Sequence, residues 1–280
     1  MPSSIKDKIN FYNEFKQFYL KILKNFKFDY NCDKKARNLL QKIILTKPDN
    51  YNLDLVLNSI KSLIDNKKLI LIYGCGPSLE GTIKYILDLK GNHLFYNFIN
   101  LCADGSSRLL RENNIPIDII FTDLDGITKT EFSYSEFIIV HAHGDNINKL
   151  QEFEKSISDF KNIIGTTQVE PIESIINPGG FTDGDRILFF IRPFLNSNHK
   201  IYLVGMDFDK IIGKYSKIDK SSNFIASKVK RRKLRYAKYL IEWIQKELPC
   251  SIYFVNSFPK SKKFNNLNLY EFRKLVIDKF

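Results

Sequence analysis

The sequence is poor in the residues from which structural metal sites and disulfide frameworks are built. It has four cysteines and four histidines. Cys32, Cys75, Cys102 and Cys250 show no CxxC spacing, so neither a zinc knuckle nor a disulfide framework is indicated. They are expected to be small buried hydrophobes. No apolar run approaches the roughly 20 residues of a membrane span. The opening stretch Met1–Lys8 lacks the apolar core of a signal peptide. A cytoplasmic protein with no membrane partner is expected. Internal repeats and low-complexity linkers are missing too. Acidic residues are in the minority: 43 Lys and Arg against 31 Asp and Glu give a formal charge of +12. That excess favours anionic partners, whether nucleic acid or a small phosphorylated molecule.

What is present is a hydrophobic fraction of 44% in 280 residues. This suffices for one large domain, or an α/β domain with a helical extension. Ile5, Ile9, Tyr12, Phe15, Tyr19, Ile22 and Phe26 recur at spacings of three and four, which predicts one helix. A second carries Leu39, Leu40, Ile43 and Ile44 and stops at Lys47-Pro48. A third carries Leu53, Val56, Leu57, Ile60 and Ile64. No loop in this stretch has the signature of a site, so residues 1–66 are expected to form an N-terminal helical cap.

At Leu69 the period changes. Leu69–Tyr73 is a continuous apolar run, as in a strand buried on both faces. Phe98–Cys102, Ile117–Phe121, Phe137–Val140, Asn162–Ile164, Lys200–Val204 and Ile252–Val255 repeat the theme, with helical patterns between most of them. The expected fold is α/β: a doubly wound, mostly parallel sheet with helices on both faces and an N-terminal helical extension. Residues 67–280 would form its Rossmann-like catalytic domain.

Ligands of such sheets gather beyond the carboxyl ends of the strands. Six predicted strand ends carry glycine with polar or acidic residues. Gly74-Cys75-Gly76-Pro77-Ser78 opens a helix. Its glycines let a ligand approach the backbone and the helix N-terminus favours an anion, although a plain turn capped by Ser78 has the same letters. Asp123 and Asp125 stand two apart, on one side of an extended chain. Such a pair suits magnesium, which takes hard oxygen ligands; a cap before Gly126 is the competing role. Asp104, with Gly105, would complete that site or contact a ribose, unless it only caps a helix. His141 and His143, with Asp145 two residues on, would suit zinc if a third histidine were near. None is, so a histidine contacting phosphate is preferred, with Asp145 as a further ligand or general base.

Gly165-Thr166-Thr167-Gln168 and Gly205-Met206-Asp207 end two further strands. In Pro178–Arg186, Thr182 or Asp183 is expected to cap a helix running through Leu195. Asp183 and Asp185 fit a magnesium ion or the donors of a heterocycle, and Arg186 would neutralise phosphate charge. Lys228–Lys233 opens a long helix and suits triphosphate or RNA, or is only a solvated basic face.

Taken in order, Gly-x-Gly-Pro-Ser, Ala-Asp-Gly, Pro-x-Asp-x-x-x-Thr-Asp-Leu-Asp-Gly and His-Ala-His-Gly-Asp-Asn resemble one family, the archaeal 6-hydroxymethyl-7,8-dihydropterin pyrophosphokinases. Gly165–Gln168, Gly179–Arg186 and Gly205–Phe208 extend the resemblance, which spans about Leu69 to Tyr239. The core is also similar to thiamine pyrophosphokinase, but Thr122 and Gly126 stand where that family has Gly and Ser. The resemblance implies transfer of the terminal diphosphate of ATP to the hydroxymethyl group of a reduced pterin, with magnesium as cofactor and AMP as the second product. The implied setting is biosynthesis of a folate-like carrier such as methanopterin.

On this basis Asp123 and Asp125, with Asp104 or Asp145, are the expected metal ligands. His143, Asp145 and Arg186 are the expected catalytic residues. Gly74, Gly76, Pro77, Ser78, Asp104, Gly105, Thr166, Thr167, Asp183 and Asp185 are the expected nucleotide and substrate contacts. ATP and the pterin would be the partners, with a homodimer compatible. Two competing classes are a glycosyltransferase using Asp-x-Asp on a nucleotide sugar, and an RNA-binding module resting on the positive charge.

Overall fold

The continuous apolar runs fold as parallel strands. A computed structural model describes residues 4–280. Its main strands are β1 (Leu69–Tyr73), β2 (Ile99–Ala103), β3 (Ile117–Thr122), β4 (Ser135–Ala142), β5 (Ile163–Thr167), β6 (Ile175–Ile176) and β7 (Lys200–Val204). A small antiparallel ribbon, β8 (Ile211–Ile212) and β9 (Phe224–Ile225), follows, and β10 (Ser251–Val255) and β11 (Asn265–Leu267) complete the set. Nine strands form one sheet in the order β11-β10-β7-β1-β2-β3-β4-β5-β6. Every pairing in it is parallel.

The helices are α1 (Ile5–Ile9), α2 (Tyr12–Phe26), α3 (Tyr30–Leu45), α4 (Leu53–Asn66), α5 (Ser78–Lys90), α6 (Ser106–Glu112), α7 (Lys129–Tyr134), α8 (Ile147–Glu152), α9 (Glu154–Asp159), α10 (Asp183–Ile191), α11 (Lys228–Ile244) and α12 (Leu269–Leu275). They cover both faces of the sheet. Successive strand residues point to opposite faces, so Ile70, Ile72 and Phe121 share a core with α2, α4, α10 and α11. Leu71, Tyr73 and Ile120 point the other way, into a core with α5, α6 and α12. Further along, Ile138 and Val140 meet α3, α8 and α9. The helices before β1 therefore pack into the sheet's own cores. No helix among the described residues is long and apolar enough to cross a membrane.

Two predicted helices end differently, each for a local reason. The first is split at Asn10-Phe11, where tertiary hydrogen bonds replace helical ones. Asn177 N–H donates to Asn10 Oδ1 at 2.8 Å, and Phe11 N–H donates to the Asn177 carbonyl at 2.7 Å. The helix expected through Leu195 closes at Ile191 because Pro193 removes an amide donor. The Arg192 guanidinium donates to the Phe189 carbonyl at 3.1 Å instead.

The chain runs outward from β1 through β6, returns to β7 beside β1, and continues to β10 and β11. The winding direction therefore reverses between β1 and β7. The loops at the carboxyl ends of these two strands flank the crevice where such sheets bind ligands.

Candidate functional site

Three acidic residues from three elements meet at the carboxyl edge. Asp104 follows β2, Asp123 follows β3 and Asp183 opens α10. Each offers one carboxylate oxygen, and these oxygens lie within 4.8 Å of one another. Two left-handed residues aim the loops: Asp104 has φ +49° and Leu124 has φ +73°. Non-glycine residues rarely adopt that region, and such strain gathers at functional sites. The Thr122 hydroxyl donates to Asp104 Oδ1 at 2.6 Å, and Leu124 N–H donates to the Thr122 hydroxyl oxygen at 2.7 Å. A Cβ at Gly126 would lie 2.1 Å from Asp104 Oδ2, so glycine there lets the two loops close together.

His143 orients the second carboxylate. Its Nδ1 accepts from Asp145 N–H at 3.2 Å. The proton therefore sits on Nε2, which lies 3.3 Å from Asp123 Oδ2 and donates to it. Both ring nitrogens are engaged, so His143 positions Asp123 and has no free lone pair to act as a base.

Burial and the neighbouring Asp123 charge push the Asp104 carboxyl up to about 7. Burial, then Asp123 and Asp104, push Asp183 well above the usual carboxylate range. Burial works to raise Asp123 as well, but the His143 ring, helped by the Asp125 amide and the Lys230 charge, outweighs it and holds that carboxyl below its usual range. Among the described residues no lysine or arginine forms an ion pair with any of the three. An all-oxygen donor set, desolvated and without a direct lysine or arginine ion pair among the described residues, fits a hard divalent cation such as magnesium.

Asp125 does not join the cluster. The extended chain that would place it beside Asp123 is broken by left-handed Leu124. Asp125 is exposed and pairs with Lys217 Nζ at 2.7 Å. Asp145 is exposed too, at the rim of a neighbouring hollow.

Two hollows flank the cluster. The first, ≈ 110 Å³, lies between the loops after β1 and β7 and is lined by Gly74, Cys75, Gly76, Gly205–Phe208 and the β8 ribbon. The second, ≈ 330 Å³, is lined by Asp123, His141, His143, Gln168 and Arg186, and by Lys27, Phe28, Asp29, Cys32 and Asp33 from before β1. Thr182, Asp183 and Lys230 line both. A larger hollow of ≈ 810 Å³ opens at the amino edge by Glu136 and Asn162 and holds none of the expected site residues.

Several expected contacts have other duties. Asp207 Oδ2 accepts from Ser78 N–H at 3.2 Å and from the Ser78 hydroxyl at 2.9 Å. The anion at the N-terminus of α5 is thus the protein's own, and Pro77 and Ser78 stand outside the hollow. A Cβ at Gly105 would lie 1.9 Å from the Tyr215 carbonyl, so this glycine admits the segment after β8. Thr166 and Thr167 are fully buried in β5. Asp185 is buried and caps α10, accepting from Phe181 N–H at 2.6 Å and Thr182 N–H at 2.8 Å. Arg186 is buried, with its terminal nitrogens on the carbonyls of Gly179, Gly180 and Phe181 at 3.2–3.4 Å, so its charge faces the backbone.

The sequence reading passed over the individual role of Lys230. It lies seven and eleven residues before buried Ala237 and Ile241, and so continues the inward stripe of α11. Lys233 lines the second hollow as well and lies over the Phe28 and Phe181 rings, whereas Lys230 lines both hollows.

A doubly wound parallel sheet with an acidic cluster at its carboxyl edge defines an α/β enzyme. Residues 47–213 match the model of the 6-hydroxymethylpterin diphosphokinase MptE-like family, and the chain belongs to that family. It is 37% identical over 236 residues to a 6-hydroxymethyl-7,8-dihydropterin pyrophosphokinase of Pyrococcus furiosus, covering 84% of this chain and 94% of that one. The like-named protein of Methanocaldococcus jannaschii is 34% identical, covering 84% and 96%. That of Methanothermobacter thermautotrophicus is 32% identical, covering 82% and 93%. Among solved structures, a MAf glycosyltransferase of Magnetospirillum magneticum aligns with a TM-score of 0.46 at 13% identity. The alignment covers 72% of this chain and 34% of that protein.

Proposed function

We propose that the protein transfers a diphosphate group from ATP to the hydroxymethyl group of 6-hydroxymethyl-7,8-dihydropterin, releasing AMP, with magnesium as cofactor. The family supports the diphosphokinase activity and the pterin acceptor. The observation that carries the rest is the position of the Asp104–Asp123–Asp183 cluster between two hollows, one for each substrate. The product would feed assembly of a folate-like one-carbon carrier.

Magnesium held by the three carboxylates would supply charge neutralisation across the phosphates. The chain's own residues do the remainder. His143 fixes the angle of Asp123 through Nε2–H. Lys230 lines both hollows and has no carboxylate partner among the described residues, so its ammonium is free to meet the moving diphosphate. The acceptor is a primary alcohol, and a loose phosphoryl transition state asks mainly for alignment and charge stabilisation.

The test is product formation. Pure protein with ATP, magnesium and the pterin is expected to release AMP and pterin diphosphate in equal amounts. EDTA is expected to stop it, and Asp123→Asn to slow it by roughly 10²–10³-fold, as for loss of a preorganised charge partner. Thiamine serves as the parallel acceptor; thiamine diphosphate with no pterin diphosphate would overturn the acceptor.

A further inference from the structure

Buried polar atoms almost always have a hydrogen-bond partner, so exceptions point to something missing. Two exceptions lie in the lining of the second hollow. His141 and Arg186 are each 2% exposed. His141 Nε2 and Arg186 Nε have no hydrogen-bond partner among the described residues. Both side chains line the same cavity.

Their protonation follows from their neighbours. The Thr166 hydroxyl donates to the Val140 carbonyl at 3.1 Å, so its oxygen is left to accept from His141 Nδ1, also at 3.1 Å. The proton of His141 is therefore on Nδ1, and Nε2 presents a lone pair. Burial and the nearby Arg186 charge hold this ring well below the ordinary histidine pKa, which keeps it neutral. The terminal nitrogens of Arg186 are on backbone carbonyls, leaving Nε–H as a donor without an acceptor. Two side chains of the lining thus carry one unused acceptor and one unused donor, with Phe28 and Phe181 as apolar walls for a flat ring.

Resting on the diphosphate transfer proposed above, we infer that this hollow is the acceptor pocket and that His141 and Arg186 read the lactam edge of the pterin. A lactam places an N–H beside a carbonyl, the complement of what the two side chains offer. The ring N3–H donates to His141 Nε2, and the ring O4 accepts from Arg186 Nε–H. The first hollow, at the point where the sheet reverses direction, then takes the nucleotide. Asp183 and Lys230 line both hollows, so the diphosphate crosses between them.

The test measures binding without turnover. The probes are 6-hydroxymethylpterin, its N3-methyl derivative, and a non-hydrolysable ATP analogue with magnesium, the pterins followed by their own fluorescence. Wild-type protein is expected to bind the N3-methyl compound roughly 10–100-fold more weakly, because a methyl in place of N3–H leaves a buried acceptor unpaired. His141→Ala is expected to weaken 6-hydroxymethylpterin by a similar factor and to bind both pterins alike. Its affinity for the ATP analogue should stay within about twofold of wild type. Equal binding of the two pterins by wild type would overturn the inference without any variant having to fold. So would undiminished discrimination in His141→Ala, or loss of the ATP analogue instead of the pterin. Wild-type protein that makes pterin diphosphate yet ignores N3-methylation sinks only the pocket assignment. Wild-type protein that neither binds pterin nor makes the product sinks the diphosphate transfer as well.

Discussion

Replacing Asp104 by asparagine removes a charge from the cluster while leaving its shape. Asparagine tolerates the left-handed backbone held at φ +49°. Its side-chain oxygen can still accept from the Thr122 hydroxyl. What changes is repulsion. Two unit charges at 4.8 Å, the outer limit of the separation between these carboxylate oxygens, repel by about 3.5 kcal/mol at an effective dielectric of about 20. Solvent at the mouth of the site and a weaker Thr122 hydrogen bond reduce that, to a net gain of about 1–2 kcal/mol.

The gain depends on pH with a definite sign. The folded protein holds the Asp104 proton up to about 7, whereas an unfolded chain releases it near about 3.9. Wild-type stability therefore falls as pH rises through that interval. Asp104→Asn lacks this loss, so the gap between the two proteins should open as pH rises from about 4, widen up to about 7 and stay constant to pH 8.5, the variant being the more stable. Urea unfolding in EDTA, followed by the fluorescence of the single tryptophan, Trp243, measures it. Saturating magnesium should reverse the order by stabilising wild type more. A variant less stable than wild type at pH 8.5 in EDTA, or a gap that does not change with pH, would refute the reasoning.

Lys230→Gln should lower kcat roughly 10²-fold with unchanged circular dichroism, since the lysine lines both hollows and has no carboxylate partner among the described residues. Asp207→Ala should cost about 1–2 kcal/mol in urea unfolding, because α5 loses the carboxylate that accepts from Ser78. The same change opens the N-terminus of α5 to an external anion, which added inorganic phosphate would reveal as recovered stability absent in wild type.

The long strands were legible because buried parallel strands are continuous apolar runs, and their carboxyl ends were marked by glycine beside acid. Those marks led to Asp104, Asp123 and His143. The two- and three-residue strands β6, β8, β9 and β11 carry no period and were missed. Asp125 stands apart from the three carboxylates because the spacing holds only for an extended chain, and Leu124 adopts a conformation no letter announces. Asp183 and Asp185 were separable in principle. Thr182 and Asp185 have capping-box spacing, which assigns the second aspartate to the helix and frees the first. The wall contributed by residues 27–33 had no local signal, because its relevance comes from where α2 and α3 dock on the sheet.

That wall has a consequence for engineering. The residues that hold the reacting groups and the residues that form one side of the second hollow come from stretches of chain that do not overlap. Hybrids exchanging residues 1–66 between relatives would change the outer wall and leave the three carboxylates in place. Asp33 sets the condition for success. Its carboxylate accepts from the Tyr19 hydroxyl at 2.6 Å, Gly144 N–H at 2.7 Å and the Gln168 amide at 2.8 Å. It is one of the clasps between the two stretches, beside the Asn10–Asn177 pair, and a donor segment that keeps it brings an aspartate at that place and a tyrosine one helix earlier.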